Sequence, residues 1–290
     1  MADGENSQTT PEAFSRRSVL KLVGAGSLGL GLSGIVGYTY AFQIEPHWLK
    51  FERIQLPLLD LPTAFEGLTL ICLSDFHREP GETLSYIERV VRLTNQHQPD
   101  VICLLGDYVF SHAGSIHGLA SVLANLEAKL GVYAILGNHD YWTDAGTVRT
   151  GLEQAGIDVL VNDTVLLERG GAELPLIGLD DGWSGKPELQ GDLYETSKPV
   201  LVMIHEPDFA DRLSENPTVR LVLSGHSHGG QVKPLFFDAP IRPAYARKYA
   251  AGLYQVDRMY LYVTRGIGVI PPRARFNCRP EITEIVLSSE

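Results

Sequence analysis

The stretch LSGHSHGG, residues 223–230, ends the apolar run VRLVL (219–223) with two histidines one residue apart, set between glycines. A continuous apolar run of this length suits a strand buried on both faces. Residues one apart in an extended or tightly turning segment point to opposite sides, so His226 and His228 can serve two different ions or straddle a phosphate. The glycines let backbone approach backbone. One such pair carries little weight alone, and the argument depends on the pattern recurring.

It recurs four times. LTLICL (68–73), VICLL (101–105), VYAIL (132–136) and PVLVMI (199–204) are continuous apolar runs. They are followed by SDFH with Asp75 and His77, GDY with Asp107, GNHD with Asn138, His139 and Asp140, and HEPD with His205. Ligands of open α/β sheets bind beyond the carboxyl ends of the strands, so five such ends of one sheet are expected to converge on one crevice. Helical patterns over 82–96, 117–129 and 144–155 separate the early runs, which predicts a βαβαβα first half. VLLER, LPLIGLD, MYLYVTR and EITEIVL follow without long helices between them, which predicts a strand-rich second half and one or two mixed sheets.

Two metal ions about 3.5–4 Å apart need a bridging carboxylate and roughly three further ligands each. Asp107 is the natural bridge. Asp75, His77 and one histidine of the GHSH pair complete one ion; Asn138, His205 and the other histidine complete the second. Two carboxylates and a hydroxide leave two divalent ions with about one surplus positive charge, which attracts a phosphate.

A chain of 290 residues has room for an N-terminal segment, residues 1–45, a linker, 46–66, and one domain, 67–290. The net charge of −11 excludes a generic nucleic-acid binder. Charge is uneven, however: Arg242, Arg247, Lys248, Arg258, Arg265, Arg273, Arg275 and Arg279 face a single acid, Asp257, over residues 240–280. That segment reads either as a solvated face or as a basic rim for an anionic substrate or lipid headgroup, with Arg265 as a candidate substrate contact. Trp142, close behind GNHD, is a candidate pocket wall. Cys72 and Cys103 lie inside apolar runs and Cys278 is left over, so buried thiols are expected rather than disulfides.

The N-terminal SRRSVLK (15–21) precedes 23 uncharged residues, Leu22 to Ile44, and is similar to a twin-arginine export signal. The uncharged run is long enough to span a bilayer and is expected to stay as an anchor. GAGSLG within it matches GxGxxG, but no strand precedes it and no βαβ unit surrounds it, so it is not a dinucleotide site.

The blocks DxH, GD, GNH[DE], H and GHxH, present here in this order, resemble the calcineurin-like metallophosphoesterases over about residues 68–230. The closing VTRGIG and RFNCRPEI are similar to a bacterial branch with twin-arginine or membrane-anchoring N-termini. The resemblance implies a four-layer α/β/β/α sandwich with two mixed β-sheets. It implies that Asp75, His77, Asp107 and His228 hold one metal and Asp107, Asn138, His205 and His226 the other. His139 would assist the leaving group, with Asp140 orienting it. Manganese is the ion suggested, and Fe or Zn²⁺ suits the same donors. The expected reaction is hydrolysis of a phosphate ester, a phosphodiester in the first instance, by a metal-bridging hydroxide. The alternatives are a lipid-linked pyrophosphatase of the UDP-diacylglucosamine hydrolase type and a non-catalytic metal-binding scaffold. Expected partners are a phosphate ester of lipid or cell-envelope origin, the membrane through the N-terminal segment, and the twin-arginine export machinery; the protein is expected on the extracytoplasmic side.

Overall fold

The computed structural model describes residues 34–189 and 198–290. The chain divides into two units, Met1–Tyr40 and Ala41–Glu290. Residues 34–39 of the first are helical, and a π-helical turn covers Tyr40–Ile44. No helix among the described residues is long and apolar enough to cross a membrane. SRRSVLK and the uncharged run up to residue 33 lie outside the described residues.

The second unit is built on two six-stranded mixed sheets. The first contains β1 (Lys50–Leu58), β2 (Thr69–Leu73), β3 (Val101–Leu105), β4 (Val132–Ile135), β5 (Asp158–Val159) and, far along the chain, β12 (Glu281–Ser289), in the order β1-β12-β2-β3-β4-β5. The second contains β6 (Asp163–Arg169), β7 (Ala172–Gly178), β8 (Val200–Met203), β9 (Val219–Ser224), β10 (Gly252–Val256) and β11 (Met259–Val263), in the order β10-β11-β9-β8-β7-β6. Strands β2 to β5 run parallel, as do β7, β8, β9 and β11. Only the antiparallel joints with β12, β10 and β6 make the sheets mixed.

Side chains alternate across a strand, so each continuous apolar run feeds two cores. Leu70, Cys72, Cys103, Leu105 and Ile135 of the first sheet meet Leu176, Leu201, Met203, Leu221 and Leu223 of the second. The alternate residues Ile71, Leu73, Ile102 and Leu104 pack under helices α1 (Ser85–Gln96), α2 (Ile116–Leu123) and, after the short α3 (Asn138–Thr143), α4 (Ala145–Gln154). On the outer face of the second sheet Val200, Val202, Val222 and Leu261 are covered by Ala210 and Leu213 of α5 (Ala210–Leu213) and by Tyr249. The layers are therefore helix, sheet, sheet and a thin outer cover.

Two expectations are corrected. The five ligand-bearing strand ends belong to two sheets rather than one, β2, β3 and β4 to the first and β8 and β9 to the second. Residues 46–66, read as a linker, contain the nine-residue β1, parallel to β12. Pro57 hid it, since proline is tolerated in a strand only where its missing N–H faces no neighbour, and β1 is a sheet edge. All three cysteines are free and buried, as expected.

Candidate metal centre

Five of the seven expected metal ligands lie in left-handed backbone: Asp75 (φ 56°), His77 (47°), Asp107 (58°), His226 (66°) and His228 (50°). For a side-chain-bearing residue that conformation costs on the order of 1 kcal/mol and persists only where neighbours enforce it. The enforcement is visible. The turns after β2 and β3 bond to one another through Asp75 N to Gly106 O and His77 N to Asp107 O, both 3.0 Å. Gly225 N donates to His205 O at 3.0 Å. His226 N donates to the Asp75 carboxylate at 3.1 Å, which joins the two sheets. A Cβ at Gly137 would collide with the Asp107 carboxylate, and one at Gly225 with Ser74 and Asp75, so these turns close only over glycine.

The turns bring seven buried polar side chains together, none more than 4% exposed: Asp75, His77, Asp107, Asn138, His205, His226 and His228. His77 Nε2 and His228 Nε2 face each other at 2.8 Å. Asp75 Oδ1 is 3.8 Å from the first and 3.4 Å from the second. Asp107 Oδ2 lies 3.5 Å from His77 Nε2 and 3.1 Å from His205 Nε2. Three groups have ligand atoms close enough to share an ion: Asp75, His77 and His228; His77, Asp107 and His139; and Asp107, His205 and His226, so that Asp107 belongs to two of them. Asn138 Oδ1 is buried without a hydrogen-bond partner, and His205 Nε2 faces the shared Asp107 carboxylate. Buried polar atoms are almost always partnered, so an orphaned amide oxygen beside imidazoles crowded on one carboxylate is what a pair of cations would satisfy. The mixed imidazole, carboxylate and amide donors suit Mn²⁺, Fe or Zn²⁺.

Neighbouring carbonyls orient the rings. His205 Nδ1 pairs with Leu105 O at 2.6 Å, leaving Nε2 for the notch, and His226 Nε2 pairs with Ala244 O at 2.8 Å, leaving Nδ1. Burial and the neighbouring His205 lower His226 to about 4, and burial holds His228 well below its ordinary value. Burial alone would raise Asp75 and Asp107, yet the surrounding imidazoles hold both carboxyls below the usual range. His205 runs the other way: burial disfavours its charge, but Asp107 and Asp75 push it well up.

His139 sits at the mouth. Its backbone N–H donates to Asp107 Oδ1 at 2.9 Å, and its ring Nδ1 pairs with Phe110 O at 3.0 Å. That leaves Nε2 uncommitted, with the ring edge-on to His77 at 4.7 Å. Asp140, expected to orient His139, has another task. Its carboxylate accepts from the backbone N–H groups of Gly137, Asp107 and Tyr108, each at 2.9 Å, and from Val109 at 3.3 Å. It ties the GNHD turn to the GDY turn, and the Phe110 carbonyl orients His139.

Arg265, expected at the substrate, is instead held by Glu52 at 2.8 Å and by Glu281. The rest of the basic segment is largely spent in the same way. Arg275 is fully buried and donates to the carbonyls of Arg265, Gly266, Gly268 and Cys278. Arg279 caps Trp48 O and Leu49 O, Arg273 pairs with Glu82, and Lys248 with Asp211. Trp142 does wall the mouth, 4.7 Å from His139. Trp183 and Tyr245 continue the wall, with Trp183 5.1 Å from Trp142, 5.9 Å from His226 and 5.7 Å from Tyr245. Trp183 follows LPLIGLD, beyond the carboxyl end of β7, which runs parallel to β8.

The sequence model of the calcineurin-like phosphoesterases matches residues 68–230. The chain is 34% identical over 283 residues to the uncharacterized metallophosphoesterase YkuE of Bacillus subtilis (strain 168), covering 95% of this chain and 98% of that protein. It is 32% identical over 260 residues to the phosphodiesterase YaeI of Escherichia coli (strain K12), covering 87% and 93%.

Proposed function

The chain belongs to the calcineurin-like phosphoesterase family and is a metal-dependent phosphoesterase, a hydrolase; on that premise we propose that it hydrolyses phosphodiesters with two divalent ions, Mn²⁺ in the first instance. The observation that carries this reading is the sharing of Asp107 between two ligand groups at the junction of both sheets. Asp75, His77, Asp107 and His228 would hold one ion, and Asp107, Asn138, His205 and His226 the other. Bound there, the cations supply Lewis-acid charge to the phosphoryl oxygens and lower the pKa of water.

The chain's own residues do the rest. The Leu105 and Ala244 carbonyls keep His205 and His226 in the ligating tautomers. His139, fixed through Nδ1 to Phe110, offers Nε2 for a proton at the departing oxygen. Burial lowers its pKa and disfavours the charged ring, and the negative charge of a phosphate beside it would act in the opposite direction and favour the proton. Trp142 and Trp183 form a wall on one side. On the other, a cavity of about 580 Å³ reaches His77 and is lined by Phe42, Arg78, Tyr86, Ile267 and Arg273, giving a second ester arm a place to lie. That favours a diester over a small monoester. A lipid-linked pyrophosphatase would need cations for its diphosphate, and the internal commitment of Arg265, Arg275 and Arg279 weighs against that reading.

SRRSVLK and the uncharged run after it support export by the twin-arginine route and an extracytoplasmic, membrane-associated location. The catalytic test is hydrolysis of an artificial diester with added Mn²⁺. Asp107→Ala is expected to lower kcat/KM by about 10³-fold or more, and His139→Ala by about 10²-fold with metal retained. A folded, metal-loaded and inert wild-type protein would leave the scaffold reading standing.

A further inference from the structure

The segment 232–245, between the GHSH turn and Tyr245, presents its apolar side chains to solvent. Phe236 is 99% exposed, Ile241 79%, Phe237 73% and Leu235 59%. Phe236 also lies in left-handed backbone, φ 72°, a conformation that a bulky residue adopts only at a conformational cost. Four large apolar side chains in one exposed loop are unusual for a soluble surface and mark a contact with another phase or molecule.

The loop is not loose at its base. Lys233 N donates to Phe276 O at 2.9 Å, Ala239 is buried against Gly230, and Arg242 Nη1 donates to Arg247 O at 2.9 Å. Beneath the apolar tip lies a pocket of about 210 Å³ whose lining includes Lys233, Arg242 and Lys248; Arg242 pairs with Asp238 at 3.5 Å and Lys248 with Asp211 at 2.7 Å, so Lys233 and the remaining guanidinium N–H groups of Arg242 are the donors it offers. Arg242 Nε is buried there without a hydrogen-bond partner. A cationic pocket under an apolar tip matches a bilayer surface, where acyl chains lie next to phosphate headgroups.

We propose that residues 232–245 form a membrane-docking loop, with Leu235, Phe236, Phe237 and Ile241 entering the acyl region and Lys233 and Arg242 holding the phosphate of an anionic phospholipid. The contact is separate from any N-terminal anchor. It also bears on the metal centre, because Ala244 O accepts from His226 and Tyr245 stands in the aromatic wall. Docking therefore sets the mouth against the lipid surface from which a diester can be drawn.

The test labels the full chain at Phe236→Cys with a polarity-sensitive fluorophore and, as a control, at the exposed Ser121→Cys; the native cysteines are all buried. Vesicles of phosphatidylcholine with about 30% phosphatidylglycerol are expected to shift the emission of the 236 label to the blue and leave the 121 label unchanged. In that background Lys233→Gln with Arg242→Gln should raise the lipid concentration needed for the shift about 25-fold, about five-fold per charge. A 236 label that stays in water on vesicle-bound protein, or that shifts equally on neutral vesicles, overturns the proposal. The label reports the loop itself, so attachment through another segment does not mimic the result. Hydrolysis of a soluble diester by the unlabelled Phe236→Ser/Phe237→Ser variant should be unchanged, which separates failure of the loop from failure of the catalytic reading.

Discussion

The metal notch and the segment 240–280 are both crowded with ionisable side chains, and they treat those side chains in opposite ways. In the notch, Asn138 Oδ1 is buried without a partner, and two imidazole nitrogens face each other at 2.8 Å. In the segment, Arg275 is just as deeply buried, but its guanidinium donates to four main-chain carbonyls, and Arg265 is clasped by Glu52 and Glu281. A buried polar group with its partners in place holds a fold together, whereas an orphan among groups crowded on one point is held for a ligand.

That contrast can be broken by substitution. The largest effect is expected in the notch: Gly225→Ala drives a Cβ into Ser74 and Asp75, and diester hydrolysis should fall about 10²-fold or more while far-UV circular dichroism stays native. Next comes Arg275→Ala, which leaves buried carbonyls without donors. Thermal unfolding should report a loss of about 3 kcal/mol, with turnover per folded molecule nearly unchanged. Arg265→Gln should cost about 1 kcal/mol and leave KM for the diester unaltered; a KM raised ten-fold would return Arg265 to the substrate and undo the contrast.

The smallest effect belongs to the exposed Lys248–Asp211 pair. Partial burial pushes Asp211 up, but Lys248 Nζ and the Tyr249 hydroxyl, both at 2.7 Å, hold its carboxyl below the ordinary value. A carboxyl lowered by folding contributes stability above its unfolded pKa, near 4, and loses it as pH falls through the folded value. Asp211→Asn should therefore lower Tm slightly and by a constant amount above about pH 6, with the difference from the parent protein fading as pH falls through the acid limb.

Legibility followed the same division. The ligands could be read because strands covered on both faces become continuous apolar runs, and whatever follows such a run stands at a carboxyl end. β1 escaped because Pro57 imitates a linker. Asp140 was read by its proximity to His139, but a carboxylate at a tight turn finds backbone N–H groups first, and four of them took it. Trp183 and Tyr245 could be tied to the mouth only once β7 and the 232–245 loop had been folded beside it.

By itself the sequence determined the α/β class, the order of the ligand blocks and the chemistry of their donors, because each depends on residue type and on spacing within one strand and its turn. Only the tertiary structure decided that the strand ends come from two sheets, that Asp107 is shared by two ligand groups, and that the arginines of 240–280 are largely committed to the fold. Those outcomes depend on partners far apart in the chain, as with Arg265 and Glu52, 213 residues apart. No local pattern records which distant group will neutralise a charge; burial and packing of the whole chain do.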